Sequence, residues 1–269
     1  MLSSEKVSVI IPTWNRAATI EAAVRSVLNQ THPVLEVLVC DDGSTDETKN
    51  ILAAINDARI KFIEGPRAGR PAIPRNLGIR LAKGTWIAFL DSDDSWLPEK
   101  IGKQLALAEK NNCLASCSNA FRVLPGKGRI SAYLQVTEKI ISFEQLVKIN
   151  FVICSSALVH HSILAQVGGF PEDEKLKAIE DYALWLRVST KTNFAYSEEP
   201  LLDYTDDAAN SIRANTKEKV QREAVVSDFW DWCAATNSLN ETRRRIMKKQ
   251  LRLAMKNNGR SFFERLKVK

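Results

Sequence analysis

The strongest constraint in this chain is an apolar, strand-like run that recurs four times within the first 110 residues, with helix-period segments in between. The runs are Val7 to Pro12, Leu35 to Cys40, Arg59 to Ile63 and Thr85 to Leu90. After the first, Ile20, Ala23, Val24, Val27 and Leu28 repeat at i, i+3, i+4, i+7 and i+8, which marks one face of a helix. Ser44-Thr-Asp-Glu47 has the form of a capping box, and Ile51, Leu52 and Ile55 line the helix it would open. Gly65 to Pro74, with three prolines and two glycines, predicts a loop. Arg75 to Lys83 predicts a short helix stopped by Gly84. Strands that alternate with helices return parallel to one another. The order therefore predicts an α/β fold, a Rossmann-like and mainly parallel central sheet flanked by helices.

Beyond residue 110 the pattern loosens. Strand signals fall at Leu114 to Phe121, Ile130 to Val136 and Val152 to Val159. Ser142-Phe-Glu-Gln145 opens a helix, Ile179 to Thr190 forms another, and the chain is helical from Asn215 onward. These signals divide it into a domain over 1–212, with halves at 1–110 and 111–212, and a helical C-terminal extension over 213–269. The net charge of +6 sits in that extension, where residues 241–269 carry 11 Lys/Arg against two Glu. A basic face interleaved with exposed aromatics is missing from the rest, so nucleic acid is not an expected partner. Met247, Leu251, Met255, Phe262 and Leu266 recur at helical spacing among the basic residues, up to the break at Asn257-Asn-Gly259 and beyond it. Such a tail suits peripheral contact with an anionic membrane, and the competing expectation is packing on the domain. Five cysteines without a C-x-x-C pair fit a reducing, cytoplasmic setting. No signal-peptide pattern opens the chain, and the apolar stretch Phe151 to Phe170 holds too many polar groups for a bilayer span.

In parallel α/β sheets, ligands bind beyond the carboxyl ends of strands. Three strand ends here are rich in polar groups: Pro12-Thr-Trp-Asn15, Asp41-Asp-Gly-Ser-Thr-Asp46 and Asp91-Ser-Asp-Asp94. Paired carboxylates at the end of a buried strand repel one another unless something neutralises them. Asp-x-Asp offers two hard oxygen ligands on one turn, suited to Mg²⁺ or Mn²⁺ that also holds a substrate diphosphate. The competing role for such residues is helix capping. Capping is the expected role of Ser44 and Asp46, and metal chemistry that of Asp91 and Asp93.

Together these segments resemble the family 2 glycosyltransferases of GT-A fold. The resemblance covers residues 5–210. It is carried by Val7-Ser-Val-Ile-Ile-Pro12-Thr-Trp-Asn15, Val39-Cys-Asp41-Asp42-Gly-Ser-Thr-Asp46, Arg75-Asn76-x-Gly78, Phe89-Leu-Asp91-Ser92-Asp93-Asp94 and Glu180-Asp181-x-x-Leu-Trp185. It implies inverting transfer of a sugar from a nucleotide-diphosphate donor, by default a UDP-sugar, to a hydroxyl of a glycan or lipid-linked acceptor in bacterial surface polysaccharide synthesis. Pro12, Thr13, Asn15, Asp41 and Asp42 would then hold the nucleoside, with Arg75, Asp91 and Ser92 near the nucleotide. Asp93, with Asp91, would bind Mn²⁺ or Mg²⁺. Asp181 would be the general base, beside Glu180 on the acceptor side.

Two departures narrow the expectation. The Gln-x-x-Arg-Trp motif of processive relatives is not matched by Gln221-Arg-Glu-Ala-Val225, which favours single addition over polymerisation. The histidine that many relatives carry after the last core tyrosine is missing between Tyr204 and Ser211. Rival readings are weaker. A haloacid-dehalogenase-type phosphatase would use Asp91 and Asp93, but its motif normally follows the first core strand. Sugar-phosphate nucleotidyltransferases carry a glycine-rich loop where Thr13 to Ala18 has no glycine. A catalytically silent sugar-binding module would have no need of Asp91, Asp93 and Asp181 together.

Overall fold

The computed structural model of the chain describes residues 5–124, 126–134, 138–207, 218–238 and 240–247. Strands β1 (Val7–Thr13), β2 (Glu36–Asp41), β3 (Ile60–Glu64) and β4 (Trp86–Phe89) pair in parallel in the order β3-β2-β1-β4. Helices α1 (Ile20–Leu28), α2 (Thr48–Ile55) and α3 (Ala72–Leu81) make the crossovers. Alternate β1 residues leave to opposite faces. Val7, Val9 and Ile11 join a core with Ile20, Val24 and Val27 of α1, whereas Ile10 packs in a second core with Ile79 of α3. Burial on both faces is why these strands are apolar throughout instead of alternating. Because β2 and β4 flank β1, the winding reverses there, and a crevice opens beyond the carboxyl ends of β1 and β4.

The remaining elements build a mixed sheet onto β4. They are β5 (Ser95–Trp96), α4 (Lys100–Lys110), β6 (Ala115–Leu124), β7 (Gly128–Ala132), β8 (Ile140–Ile141), α5 (Phe143–Leu146), β9 (Leu158–His160), α6 (His161–Val167), α7 (Glu180–Val188), β10 (Phe194–Thr205) and α8 (Glu218–Thr236). The sheet continues from β4 as β9-β6-β10-β5, with β7 on β6 and β8 on β10. Only β6 and β10 are parallel here; β9, β7, β8 and β5 pair antiparallel.

Three local expectations are corrected. Helix α3 begins at Ala72, inside the expected loop, with Pro74 in its first turn, where a missing amide leaves no intrahelical bond unmade. The run Val152 to Val159 is not one strand. Ser156 and Ala157 bond back to Ile153 and Cys154 in a 3-10 turn, and β9 starts only at Leu158. The capping box expected at Ser44 to Glu47 does not form, since α2 starts after Glu47 without a side-chain cap. The Ser142–Gln145 box does form, and Ser142 N donates to Gln145 Oε1 at 2.8 Å.

Helix α8 packs on the second half through buried Val225, Val226, Phe229 and Cys233, and through Asp228, whose two oxygens accept from Arg187 Nη2 at 2.9 and 2.7 Å. Residues 241–247 are helical too, and Met247 is buried in the same core. Leu251, Met255, Phe262, Leu266 and the Asn257–Gly259 break lie outside the described residues, as does the expected boundary at 212. No helix among the described residues is long and apolar enough to cross a membrane. All five cysteines are free and buried.

Candidate active site

A cleft of about 760 Å³ lies over the crevice, and every sequence-predicted site residue except Asp41 lines it. On the nucleoside side, β1 delivers Pro12 and Thr13. The Thr13 carbonyl accepts from Asp42 N at 2.8 Å, while its buried Oγ1 finds no partner among the described residues. Asn15 takes a left-handed φ of 50°, a conformation asparagine tolerates better than most residues. Its amide donates to Ser44 Oγ and its Oδ1 accepts from Thr45 N, both at 2.8 Å, which ties the two strand-end loops together.

The adjacent carboxylates of Asp41 and Asp42 are kept apart by pointing into different sets of donors. Asp41 accepts from Gly43 N at 3.0 Å, Ser44 N at 2.8 Å and Ser44 Oγ at 2.5 Å, so it holds the turn and faces away from the cleft. This also explains the absent cap, because the Ser44 hydroxyl is committed to Asp41. Asp46, one residue before the N-cap position Glu47, instead accepts from Thr48 N, the first amide of α2, at 3.1 Å and from Ala17 N at 3.0 Å. Asp42 is buried at the cleft and accepts from Ala68 N at 2.6 Å, Gly69 N at 2.9 Å and the Arg67 guanidinium. Arg67 in turn lies 3.8 Å from the centre of the Trp14 ring.

At the centre, β4 runs into Asp91, Ser92, Asp93 and Asp94. The turn is fastened from two sides. Ser155 Oγ accepts from Asp91 N at 3.0 Å and donates to Asp94 Oδ2 at 2.5 Å. Thr205 N donates to Asp94 Oδ1 at 2.8 Å, and Thr205 Oγ1 donates to the Asp93 carbonyl at 2.6 Å. Burial, reinforced by Asp91 and Asp93, pushes the Asp94 carboxyl well above the usual range. Asp93 is raised as well, by burial and then by Asp91; Arg16, 3.4 Å away, opposes the shift.

Arg75 joins the two acidic motifs. From α3 its Nη2 donates to the half-buried Asp91 at Oδ1, 2.6 Å away, and its Nη1 to the buried Glu180 at Oε1, 2.8 Å away. The neighbouring motif residues explain how α3 reaches that position. Asn76 exchanges two 2.8 Å bonds with the Phe170 backbone. Gly78 lets the helix sit on the sheet, since a Cβ there would fall 2.6 Å from Ile10 Cγ2. Glu180 and Asp181 occupy the first turn of α7, where the helix dipole favours negative charge. Ala178, just before them, holds a φ of 71°, a backbone cost of about 1–3 kcal/mol for a residue other than glycine. Behind them Trp185 is fully buried against Phe89, Phe170 and Phe194 at 5.8–6.0 Å between ring centres. Burial pushes Glu180 up in spite of Arg75, with Asp181 adding to the shift. The buried Glu180 Oε2 lacks a hydrogen-bond partner among the described residues.

Sequence reasoning missed Trp14, Arg16, Arg67, Ser155 and Thr205, and gave Asp94 no role. Trp14, Arg16 and Asp94 lie inside or beside the quoted motifs, so proximity was the available signal. Nothing local marks Ser155 or Thr205. The cleft is lined by nine acidic side chains against four arginines, an excess of negative charge that favours a cationic ligand. No three His, Cys, Asp or Glu side chains among the described residues form a ready metal cage. The residues available to a metal are Asp93 and, through the oxygen not held by Arg75, Asp91.

A parallel sheet with acid-ended strands at its switch point, extended by a mixed sheet, is the GT-A arrangement. The same fold is seen in crystal structures of Staphylococcus aureus TarS residues 1–349 with UDP and with UDP-GlcNAc. Each aligns with a TM-score of 0.71 at 22% identity; the UDP complex covers 98% of this chain and 75% of that one. The description Glycosyl transferase family 2 matches residues 8–168. The chain belongs to this family and is a glycosyltransferase. It is 33% identical over 222 residues to the Escherichia coli UDP-Glc:α-D-GlcNAc-diphosphoundecaprenol β-1,3-glucosyltransferase WfaP, spanning 82% of this chain and 85% of the relative. It is 28% identical over 250 residues to the putative teichuronic acid biosynthesis glycosyltransferase TuaG of Bacillus subtilis, spanning 89% and 97%. The phosphatase, nucleotidyltransferase and silent-module readings fall with this membership.

Proposed function

We propose that the protein transfers a single sugar, with inversion, from a UDP-sugar to a hydroxyl of a lipid-diphosphate-linked acceptor in bacterial surface polysaccharide synthesis. The observation that carries the reading is convergence. Thr13, Asn15 and Asp42 from two strand ends, the Asp91–Asp93 turn from a third, and Asp181 from α7 all line one cleft. The similarity to WfaP, whose name gives a UDP-Glc donor and an undecaprenol-linked acceptor, supports the same classes here.

In this reading the Thr13 hydroxyl, without a partner among the described residues, and the Asp42 carboxylate receive the nucleoside. Asp91 and Asp93 are the residues that would hold Mn²⁺ or Mg²⁺; two carboxylates without a full cage among the described residues suit an ion that would keep other oxygen ligands. When bound, the ion supplies charge neutralisation for the departing diphosphate. Asp181 takes the acceptor hydroxyl proton as that oxygen bonds to the anomeric carbon and the bond to the diphosphate breaks. Glu180, tied to Arg75, is a positioning residue that sets the start of α7. A membrane-surface role for residues 248–269 accords with a lipid-linked acceptor, and salt-sensitive binding to anionic vesicles tests it.

The experiment is a panel of nucleotide sugars with Mn²⁺ and a short-chain analogue of α-D-GlcNAc-diphosphoundecaprenol. The expected result is UDP release coupled to a product of inverted anomeric configuration. Turnover unaffected by EDTA, or a product of retained configuration, would overturn the mechanism.

A further inference from the structure

We propose that Tyr133 and Tyr204 form the platform for the terminal pyranose ring of the acceptor, a subsite that rests on the transferase reading above. Both side chains line the cleft, with ring centres 4.9 Å apart and planes inclined by 54°. They stand at the end of β7 and on β10. The sheet order places β6, with β7 on it, and β10 across β4 from the nucleoside-side strands β1 and β2. Thr205, next to Tyr204, is bonded to the Asp93 carbonyl, so the platform begins one residue from the acidic turn. Asp181, the proposed base, lines the same cleft.

The observation that asks for an explanation is how firmly this surface is held. Tyr133 is 38% exposed and follows a hairpin, yet its amide donates to the Ala120 carbonyl at 2.8 Å. The next residue is clamped by one side chain. Asn119, only 3% exposed, accepts from Leu134 N at 2.9 Å through Oδ1 and donates to the Leu134 carbonyl at 2.8 Å through Nδ2. Arg129 grips Asp203 with two 2.8 Å bonds and Arg122 donates to Asp206 at 2.6 Å, riveting the hairpin to β10 on both sides of Tyr204. A buried amide and two ion pairs thus fix an aromatic surface that is open to the cleft. A pyranose has an apolar C–H face and a rim of hydroxyls. A tyrosine pair offers an apolar ring face with hydroxyls at its edge and loses little conformational freedom on binding. Fixing it beforehand lowers the cost of ordering these side chains when the acceptor binds.

The test uses full-length protein, UDP-glucose, Mn²⁺ and a short-chain analogue of α-D-GlcNAc-diphosphoundecaprenol as the acceptor probe. In Tyr133→Ala the acceptor KM should rise about tenfold, equivalent to about 1.4 kcal/mol. The donor KM, the UDP Kd and kcat at saturating acceptor should stay within about twofold. Tyr133→Phe, which keeps the ring, should restore most of the acceptor affinity. An unchanged acceptor KM in Tyr133→Ala overturns the proposal. So does a parallel loss of UDP affinity, which would make the pair a structural brace. A wild type that binds UDP but does not use the probe refutes the acceptor named here while leaving the donor reading intact. A wild type that does not bind UDP refutes that reading, and the platform falls with it.

Discussion

The two walls of the cleft hold their acidic groups by different means. On the β1–β2 wall, Asp41 and Asp42 are satisfied largely by backbone amides of nearby loops, Gly43 and Ser44 for one, Ala68 and Gly69 for the other. On the β4–α7 wall, Asp91, Asp94 and Glu180 depend on side chains of other elements, namely Arg75 of α3, Ser155 and Thr205, and on the Thr205 amide. The first wall rests mainly on loop backbone, the turn after β2 for Asp41 and the loop after β3 for Asp42. The second exists only when the whole sheet has assembled, and it is the wall where burial raises Asp93, Asp94 and Glu180. The nucleoside-side carboxylates are thus held mainly by loop backbone, whereas the groups proposed for chemistry are held by side chains packed in from several elements.

Breaking the second wall should cost most. Asp93→Ala is expected to lower kcat about 10³-fold, the several kcal/mol that a bound cation contributes to leaving-group departure, with UDP release as the assay. Arg75→Leu should destabilise the fold by about 3 kcal/mol or more in urea titrations, because it leaves Asp91 and the buried Glu180 without their shared cation. Asp181→Asn keeps the shape but cannot take a proton. A fall in kcat of about 10²-fold or more, with UDP affinity retained by calorimetry, is the expected outcome.

A buried lysine tests the floor beneath that wall. Lys100 donates to Gln104 Oε1 at 2.5 Å and sits 4.1 Å from the centre of the Trp96 ring; burial lowers its pKa to about 7. Between pH 7 and 10.5 the unfolded chain holds this proton and the native chain does not, so stability rises with pH across that window. The cost of the buried charge is present in full below it. Lys100→Met should therefore be more stable than the wild type at pH 6. Its advantage should shrink by at most about 1.4 kcal/mol per pH unit as the pH rises above 7, measured by denaturation at several pH values. The smallest effect belongs to the first wall. Arg67→Leu leaves Asp42 its two amides and removes a partly exposed ion pair, so a stability loss of about 1 kcal/mol or less is expected. A loss as large as that of Arg75→Leu would erase the distinction between the walls.

The same distinction explains what could be seen in the sequence. Strands β1 to β4 were legible because burial on both faces makes them continuous apolar runs, and their ends were legible because the motifs contain their own turn chemistry. Helix α4 lies outside the expected elements although Ile101, Leu105 and Ala108 follow a helical period. Strand β10 offered no such signal: Glu198, Glu199 and Pro200 interrupt it, and its pairing with β6 shifts register at Pro200. Arg75 was legible as a site residue, but its bond to Glu180 spans 105 positions and no local period records it. Ser44 misled because one hydroxyl could serve either a helix amide or Asp41, and the nearer carboxylate won.

The most direct measurement is a crystal structure of the full-length protein with UDP and Mn²⁺, with data collected for manganese anomalous scattering. The expected result is an anomalous peak between the Asp93 carboxylate and the diphosphate, with the base beside Asp42 and Thr13. UDP bound in the cleft with no such peak at saturating Mn²⁺, or a peak away from Asp93, would contradict the metal-assisted transfer proposed for this site.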